Sequence, residues 1–177
     1  KTLQNILAIC KDKHAYLRCC CAFVISELEK DPSLDGVAPE ERANTLFYPL
    51  KIAAETRDES FVALAVDGVQ KLIVHGVIDG SFLYKSLDVP QPPKKKGFTL
   101  FGGGETPPTQ TPKNEREEQT PLIQVILGVV CMNANIPQDD VQQLVVRALL
   151  AAVSVARCDV HGGSLLLCIR TACDVFL

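Results

Sequence analysis

Three consecutive cysteines, Cys19, Cys20 and Cys21, stand in the stretch LRCCCAFVISEL and are the first candidates for metal or thiol chemistry. Neighbouring residues on an α-helix point about 100° apart, so three adjacent thiols do not converge on one ion. Helical spacing places Cys20 and Cys21 on an apolar face, where cysteine acts as a small buried hydrophobe. Cys19 falls on the opposite side. We therefore predict packing for two thiols and leave Cys19 as the one candidate for modification.

The other cysteines and the three histidines also lack the spacing of a catalytic or metal site. Cys158 and His161 are separated by two residues, but no second pair completes a set of four zinc ligands. Neither His14 nor His75 has a local signature that connects it to a nucleophilic thiol. The HGG that begins at His161 lacks the accompanying G-x-S-x-G of esterases. We therefore expect no catalytic residue, no metal ligand and no cofactor.

Composition argues against several classes of function. Hydrophobic residues make up 47% of the 177, charged residues 22%, and the formal net charge is −3. This balance is typical of a globular domain and gives no basic field for nucleic acid. No apolar run reaches the roughly 18 to 20 residues of a membrane span, so we expect a soluble, cytoplasmic protein. Because most of the eight cysteines lie inside apolar helical patterns, we predict free thiols in a reducing compartment.

Helical periodicity runs along most of the chain, and alternating strand patterns are nearly absent. Pro49 predicts a kink in the third helix, Gly76 predicts the end of the fourth, and Pro121 suits the first turn of the fifth. The short links indicate antiparallel neighbours. The fold is therefore predicted to be all-α, an armadillo-like α-solenoid or irregular bundle of about seven antiparallel helices. The predicted helices span 2–10, 13–30, 40–56, 59–75, 121–133, 137–156 and 161 to the end.

We predict a single domain over residues 1–177, with a flexible insertion at about 88–119. The insertion holds most of the prolines and a run of three glycines, a composition typical of a mobile loop. Its KKKGFTLF piece fits a solvated loop, and the alternatives are a short linear docking motif or a segment that contacts an anionic membrane. We also expect the chain to be a segment of a longer protein, because it begins at Lys1 without a methionine.

The fourth predicted helix divides into two faces at about 100° per residue. The apolar face is predicted to be core and carries Phe61, Val62, Ala65, Val69, Leu72 and Gly76. The opposite face is predicted to lie outward and carries Ala63, Asp67, Gln70, Lys71 and Val74, with His75 at its edge. This prediction leaves Val74 exposed beside Lys71.

Two segments of this helical chain resemble a known family. They are AVDGVQKLIVHGVIDG, from Ala65 to Gly80, and RALLAAVSVARCDVHGGSLLLCIRTACDVFL, from Arg147 to Leu177. LRCCCAFVISEL and FYPLKIAAETRDESFVALA support them in the same order and spacing. Together these pieces resemble the N-terminal DCB domain, for dimerisation and cyclophilin binding, of large Arf guanine-nucleotide exchange factors of the BIG type.

The resemblance implies a regulatory and targeting module that is not itself an enzyme. Its parent would exchange GDP for GTP on Arf at the trans-Golgi, with the catalytic domain beyond the end of this chain. In the family the domain self-associates, so a homodimer is possible, and it contacts the neighbouring HUS domain. In some members it docks a GTP-bound Arf-like small GTPase that recruits the protein to trans-Golgi membranes, which makes the membrane contact indirect.

Lys71 coincides with the lysine of the family's QKLI motif, and this gives the outward face of the fourth helix a candidate role. A cation beside exposed apolar surface suits the rim of a groove that receives a GTPase. We therefore predict Asp67, Lys71, Val74 and His75 as partner-binding residues. A merely solvated lysine is the alternative. An alternative function is a helical adaptor or scaffold domain of a related trans-Golgi protein without exchange activity.

Overall fold

The computed structural model describes residues 1–32, 34, 36–89 and 120–176. These ranges contain seven α-helices and two short 3-10 turns, and their β-type pairing is an isolated bridge between Leu83 and Pro121. The helices are α1 (Thr2–Ile9), α2 (Ala15–Lys30), α3 (Pro39–Glu55), α4 (Glu59–Val74), α5 (Leu122–Met132), α6 (Asp139–Ser154) and α7 (Gly162–Phe176), and the turns are Asp12–His14 and Ala156–Cys158.

The all-α prediction is confirmed, and the predicted helix ends lie close to the observed ones. Pro121 precedes α5 as its N-cap instead of occupying the first turn. α3 runs without interruption through Pro49, for which a kink is predicted. The predicted insertion lies almost entirely outside the described residues. Among the helices described, none is long and apolar enough to cross a lipid bilayer.

The helices form two layers. α4 packs on α1, α3 and α6, whereas α3 packs on α2, α4 and α5. One layer therefore contains α1, α4 and α6, and the other contains α2, α3 and α5, with α7 packed on α5 and α6. Stacked helix pairs of this kind are the repeating unit of α-solenoids.

The C-terminal ends of α4 and α6 meet, so these two neighbouring helices run in the same direction. Just beyond the ends, the backbone N–H of Gly80 donates to the carbonyl oxygen of Arg157 at 2.8 Å. A Cβ on Gly80 would lie 2.6 Å from the carbonyl oxygen of Cys158, so the approach requires glycine. Gly76 ends α4, as predicted, in the left-handed conformation with a φ of 69°.

The segment that follows α4 is held on α3 by one buried side chain, Asn44. Its Nδ2 donates to the carbonyl oxygens of Glu40 at 3.0 Å and Leu83 at 2.9 Å. Its Oδ1 accepts the backbone N–H of Lys85 at 2.8 Å. Asn44 therefore pairs with the backbone of the segment much as a neighbouring strand would, and it is only 3% exposed.

Side chains from all seven helices share the main hydrophobic core. The predicted core face of α4 is confirmed for Phe61, Val62, Ala65 and Val69. Val66 and Ile73 are buried as well, whereas Leu72 and Gly76 are only partly buried. α4 is contacted by α1, α3 and α6, so its buried face is wider than a single periodic stripe.

The three consecutive cysteines lie on α2. Cys20 and Cys21 are each 0% exposed, which confirms the predicted register of the helix. Cys19 differs from the prediction because it is partly buried against a second cluster, formed around Cys20, Tyr48 and Val89. This cluster exists because the segment ending at Val89 returns to this side of α2, and no helical periodicity predicts that return.

Candidate partner-binding surface

Three of the four predicted partner-binding residues form an exposed strip along α4. Lys71 Nζ pairs with Oδ2 of Asp67 at 2.5 Å, an i,i+4 arrangement that helix geometry favours. The Lys71 side chain is 57% exposed and that of Asp67 is 31% exposed. Val74 is 58% exposed, although valine is usually buried. The structure therefore places a charge pair and an exposed apolar residue side by side. We call Asp67, Lys71 and Val74 the α4 strip.

His75, the fourth predicted residue, lies at the C-cap of α4 and its side chain is exposed. The other two histidines are elsewhere in the fold. His14 meets the ring of Phe61 edge to face at 4.6 Å, and His161 is hydrogen-bonded through Nδ1 to the carbonyl oxygen of Asp159. The three histidines do not converge on a common site.

An open groove of about 400 Å³ adjoins Lys71 on the side of α1 and α2. Its charged lining residues are Lys1, Glu29 and Lys71. A concave apolar surface with charged neighbours suits the insertion of apolar side chains from a partner. Because Leu72 faces this groove, it is only partly buried. The apolar lining comes from four helices: Leu3, Ile25, Leu28, Leu46, Leu50 and Leu72.

Gly68 keeps the groove open where α4 passes α3. A Cβ on Gly68 would lie 3.0 Å from the methyl groups of Leu50 and 3.2 Å from Cγ2 of Thr2. The groove is not predictable from helical periodicity, because its walls come from helices that are distant in the chain. A glycine in a helix interior is destabilising by roughly 0.5–1 kcal/mol relative to alanine, so Gly68 was a local signal of close packing.

The buried cysteines are better suited to packing in the core than to nucleophilic or metal-binding chemistry. All eight cysteines are free. Burial raises the pKa of Cys20 to about 11, of Cys21 to about 12 and of Cys168 to about 11, so these thiols are protonated at neutral pH and are poor nucleophiles. In the described part of the chain, no group of three His, Cys, Asp or Glu side chains is placed to hold a metal ion.

The sequence of this helical stack matches a known family along its length. A family model described as the Mon2/Sec7/BIG1-like dimerisation and cyclophilin-binding domain, or DCB, covers residues 1–176. The chain belongs to the DCB family. The resemblance found in the QKLI segment and in the C-terminal segment is therefore confirmed. The family description names dimerisation and cyclophilin binding. Both are protein-binding roles, which agrees with a domain that is not itself an enzyme.

Several curated proteins are similar to this DCB domain. Brefeldin A-inhibited guanine nucleotide-exchange protein 1 is 24% identical in Rattus norvegicus and 25% identical in Homo sapiens, over 200 aligned residues that cover 100% of this chain. Brefeldin A-inhibited guanine nucleotide-exchange protein 3 of Arabidopsis thaliana is 27% identical over 149 residues, or 82% of this chain. The chain spans only 9% of the rat and human relatives and 7% of the plant relative.

Proposed function

We propose that this DCB domain is a regulatory, non-catalytic module of a large Arf guanine-nucleotide exchange factor, and that its α4 strip docks a GTP-bound Arf-like small GTPase. The docked GTPase holds the parent on trans-Golgi membranes, so the domain itself needs no direct contact with the bilayer. The exchange reaction belongs to another domain of the parent. The names of the similar proteins, which are nucleotide-exchange proteins, support this assignment.

The observation that carries the GTPase-docking proposal is the position of Lys71 between exposed Val74 and the groove. A GTPase switch surface offers apolar side chains with polar edges, and the α4 strip offers the complement. The groove receives an apolar side chain, Val74 extends the apolar contact, and Lys71 faces a polar edge. Docking depends on bound GTP because the γ-phosphate orders the switch segments that carry such a surface.

α7 supports a second proposed contact, with the HUS domain of the parent. Leu166, Leu167 and Ile169 are 67%, 41% and 52% exposed on this helix. In α-solenoids each helix pair covers an apolar face of the preceding one, so a following helical domain would cover these three residues. We propose that the HUS domain docks on this face of α7.

Self-association is the third part of the proposal, and it rests on the family description, which names dimerisation. The same description includes Mon2-like as well as Sec7- and BIG1-like proteins. Membership therefore also fits the second candidate function, a helical adaptor of a related trans-Golgi protein without exchange activity. An exchange domain in the parent sequence would favour the first candidate, and its absence from the complete parent would favour the second.

Capture of the DCB domain on immobilised, GTP-locked Arf-like GTPases tests the role of Lys71. Lys71→Asp reverses the charge beside the groove and sets a second carboxylate against Asp67, so we expect binding to fall by about tenfold or more. The matched control is Lys30→Asp, because Lys30 is a similarly exposed lysine that pairs with Glu27 at 2.6 Å on α2. Equal capture of wild type and Lys71→Asp would contradict the proposed role.

A further inference from the structure

A second groove, of about 550 Å³, lies between α2, the link to α3, the first turns of α3 and residues 85–88. Four of its lining side chains carry carboxylates and one carries an ammonium group, so the lining has a net negative charge at neutral pH. It shares no lining residue with the groove beside Lys71. We call it the acidic groove, and its charged residues are Glu27, Glu40, Glu41, Asp88 and Lys85.

The carboxylates of the acidic groove come from three separate parts of the chain. Glu40 and Glu41 occupy the first turn of α3, where a negative charge stabilises the positive end of the helix. That role does not account for Glu27, which lies in the last turn of α2, because the helix dipole disfavours a carboxylate there. Asp88 belongs to no helix. The concentration of negative charge is therefore a property of the groove and not of one helix end.

Two of these carboxylates are paired with exposed lysines. Lys30 Nζ lies 2.6 Å from Oε1 of Glu27, and Lys85 Nζ lies 3.2 Å from Oε1 of Glu40. The two lysine side chains are 71% and 61% exposed, and ion pairs of this kind contribute little to stability, so an incoming cation can replace either lysine at low cost. Glu41 is exposed and forms no ion pair with another described residue.

The acidic groove also has apolar lining and a wall that is held in place. The backbone N–H of Lys85 donates to Oδ1 of buried Asn44 at 2.8 Å, which fixes the start of residues 85–88 against α3. A ligand that enters a preformed groove pays less for ordering it. The apolar lining residues used below are Phe23, Leu34, Val37 and Leu87.

The arrangement of charge and apolar surface selects the class of ligand. Among the residues that the structure describes, no three acidic, histidine or cysteine side chains converge to hold a metal ion. Carboxylates spread along a groove suit a ligand whose positive charges are also spread, and they repel phosphate groups and anionic membranes. The apolar lining suits an apolar side chain between those charges. We propose that the acidic groove binds a linear, lysine-rich segment of a partner protein that carries an aromatic or leucine anchor.

This site is independent of the proposed GTPase surface. At about 100° per residue, Phe23 and Glu27 lie on nearly the opposite side of α2 from Ile25 and Glu29, which line the groove beside Lys71. A peptide in the acidic groove therefore leaves the other groove open. Failure of one proposal does not entail failure of the other.

Fluorescence anisotropy with the purified chain measures the binding of a labelled hexapeptide in which four lysines flank a central Leu-Phe pair. We expect saturable binding that weakens as the salt concentration rises, because salt screens exposed charges. A peptide with glycines in place of Leu-Phe should bind at least about fivefold more weakly, because it lacks the anchor. A peptide with glutamates in place of the lysines should not bind.

Glu41→Lys tests the charge of the acidic groove. We expect the Kd for the hexapeptide to rise by about tenfold or more and its salt dependence to decrease, because one attractive charge becomes repulsive. The matched control is Glu59→Lys, since Glu59 is also exposed and also lies in the first turn of its helix, α4. This control should stay within about twofold of wild type.

Leu87→Ala tests the apolar lining. We expect the Kd to rise by about threefold or more, because the anchor loses part of its apolar contact. Leu144→Ala is the control, since Leu144 is also partly buried but belongs to α6. Thermal melting checks that each variant is folded, and Glu41→Lys, at an exposed position, tests the proposal even if Leu87→Ala unfolds.

Weaker peptide binding in Glu41→Lys and Leu87→Ala, with both controls unchanged, would support the proposal. Equal losses in Glu41→Lys and Glu59→Lys would overturn it, because the attraction would then be general to an acidic protein. Displacement of the hexapeptide by an equal concentration of spermine would overturn the requirement for an anchor. If the peptide binds only after Lys94, Lys95 and Lys96 are replaced by alanine, the groove serves a segment of this chain and the proposal of a partner is overturned.

Discussion

Cys19, Cys20 and Cys21 occupy three different environments although they are consecutive in the chain. Cys21 belongs to the main core, Cys20 to the second cluster, and Cys19 lies at the edge of that cluster. The turn of about 100° per residue explains the separation. Periodicity was therefore sufficient to predict which thiols are buried. It was insufficient to predict the cover over Cys19, because that cover comes from a segment without helical periodicity.

Thiol labelling at neutral pH tests this assignment. We expect a maleimide probe to modify Cys19 faster than Cys20 and Cys21 in the native protein, because burial both shields the latter two and raises their pKa. Peptide mapping by mass spectrometry resolves the three positions, and exposed Cys173 is the internal reference. Modification of Cys20 or Cys21 at the rate of Cys173 would contradict the helix register.

The pKa of Cys21 also predicts how stability depends on pH. Burial raises this pKa from its ordinary value of 9.0 to about 12, so between these values the unfolded chain releases a proton that the folded chain retains. The free energy of unfolding should therefore decrease as the pH rises from about 9 towards 12. Cys21→Ala should show a shallower decrease in urea titrations at pH 8, 9 and 10. If Cys21→Ala leaves the pH dependence of the free energy of unfolding unchanged, the raised pKa of Cys21 is contradicted.

The helices themselves were largely predictable, because each begins or ends near a proline, a glycine or a polar cap that the sequence displays. The outward position of Asp67, Lys71 and Val74 followed from the same periodicity. Two features of the structure could not be predicted from this periodicity. The groove beside Lys71 depends on long-range packing of α1, α2, α3 and α4, and the hydrogen bond from Gly80 to Arg157 joins two segments that are distant in the chain.

The close approach of Gly80 to the backbone of Arg157 and Cys158 can be tested by substitution. Gly80→Ala should lower the free energy of unfolding by about 1–3 kcal/mol, because the added Cβ would meet the backbone of Cys158. The matched control is Gly128→Ala on α5, where a Cβ would meet no atom within 4 Å. There we expect a gain of about 0.4–1 kcal/mol, because alanine reduces the freedom of the unfolded chain. Chemical denaturation measures the free energy of unfolding of both variants. Equal changes in Gly80→Ala and Gly128→Ala would contradict the close approach at Gly80.

At the scale of the whole molecule, the two-layer stack presents distinct surfaces to distinct proposed partners. We propose the α4 strip as the surface for the GTPase, and the exposed residues Leu166, Leu167 and Ile169 of α7 as the surface for the HUS domain. In this proposal the two partners occupy separate faces, so binding of one partner leaves the surface for the other accessible. It also predicts that variants of one face leave binding at the other face unchanged.

Self-association belongs to this scale as well. We expect the measured mass of the isolated DCB domain to rise with concentration, as association by mass action requires. Sedimentation equilibrium or light scattering across a wide concentration range provides the measurement. A monomeric mass at every concentration would count against self-association by this domain.

The most direct test of the account is the affinity of the wild-type DCB domain for Arf-like GTPases loaded in turn with a non-hydrolysable GTP analogue and with GDP. We expect saturable binding to at least one GTP-loaded GTPase, much weaker binding to its GDP form, and loss of the GTP-dependent binding in Lys71→Asp. Equal affinity for the two nucleotide states, or GTP-dependent binding that Lys71→Asp leaves intact, would contradict it.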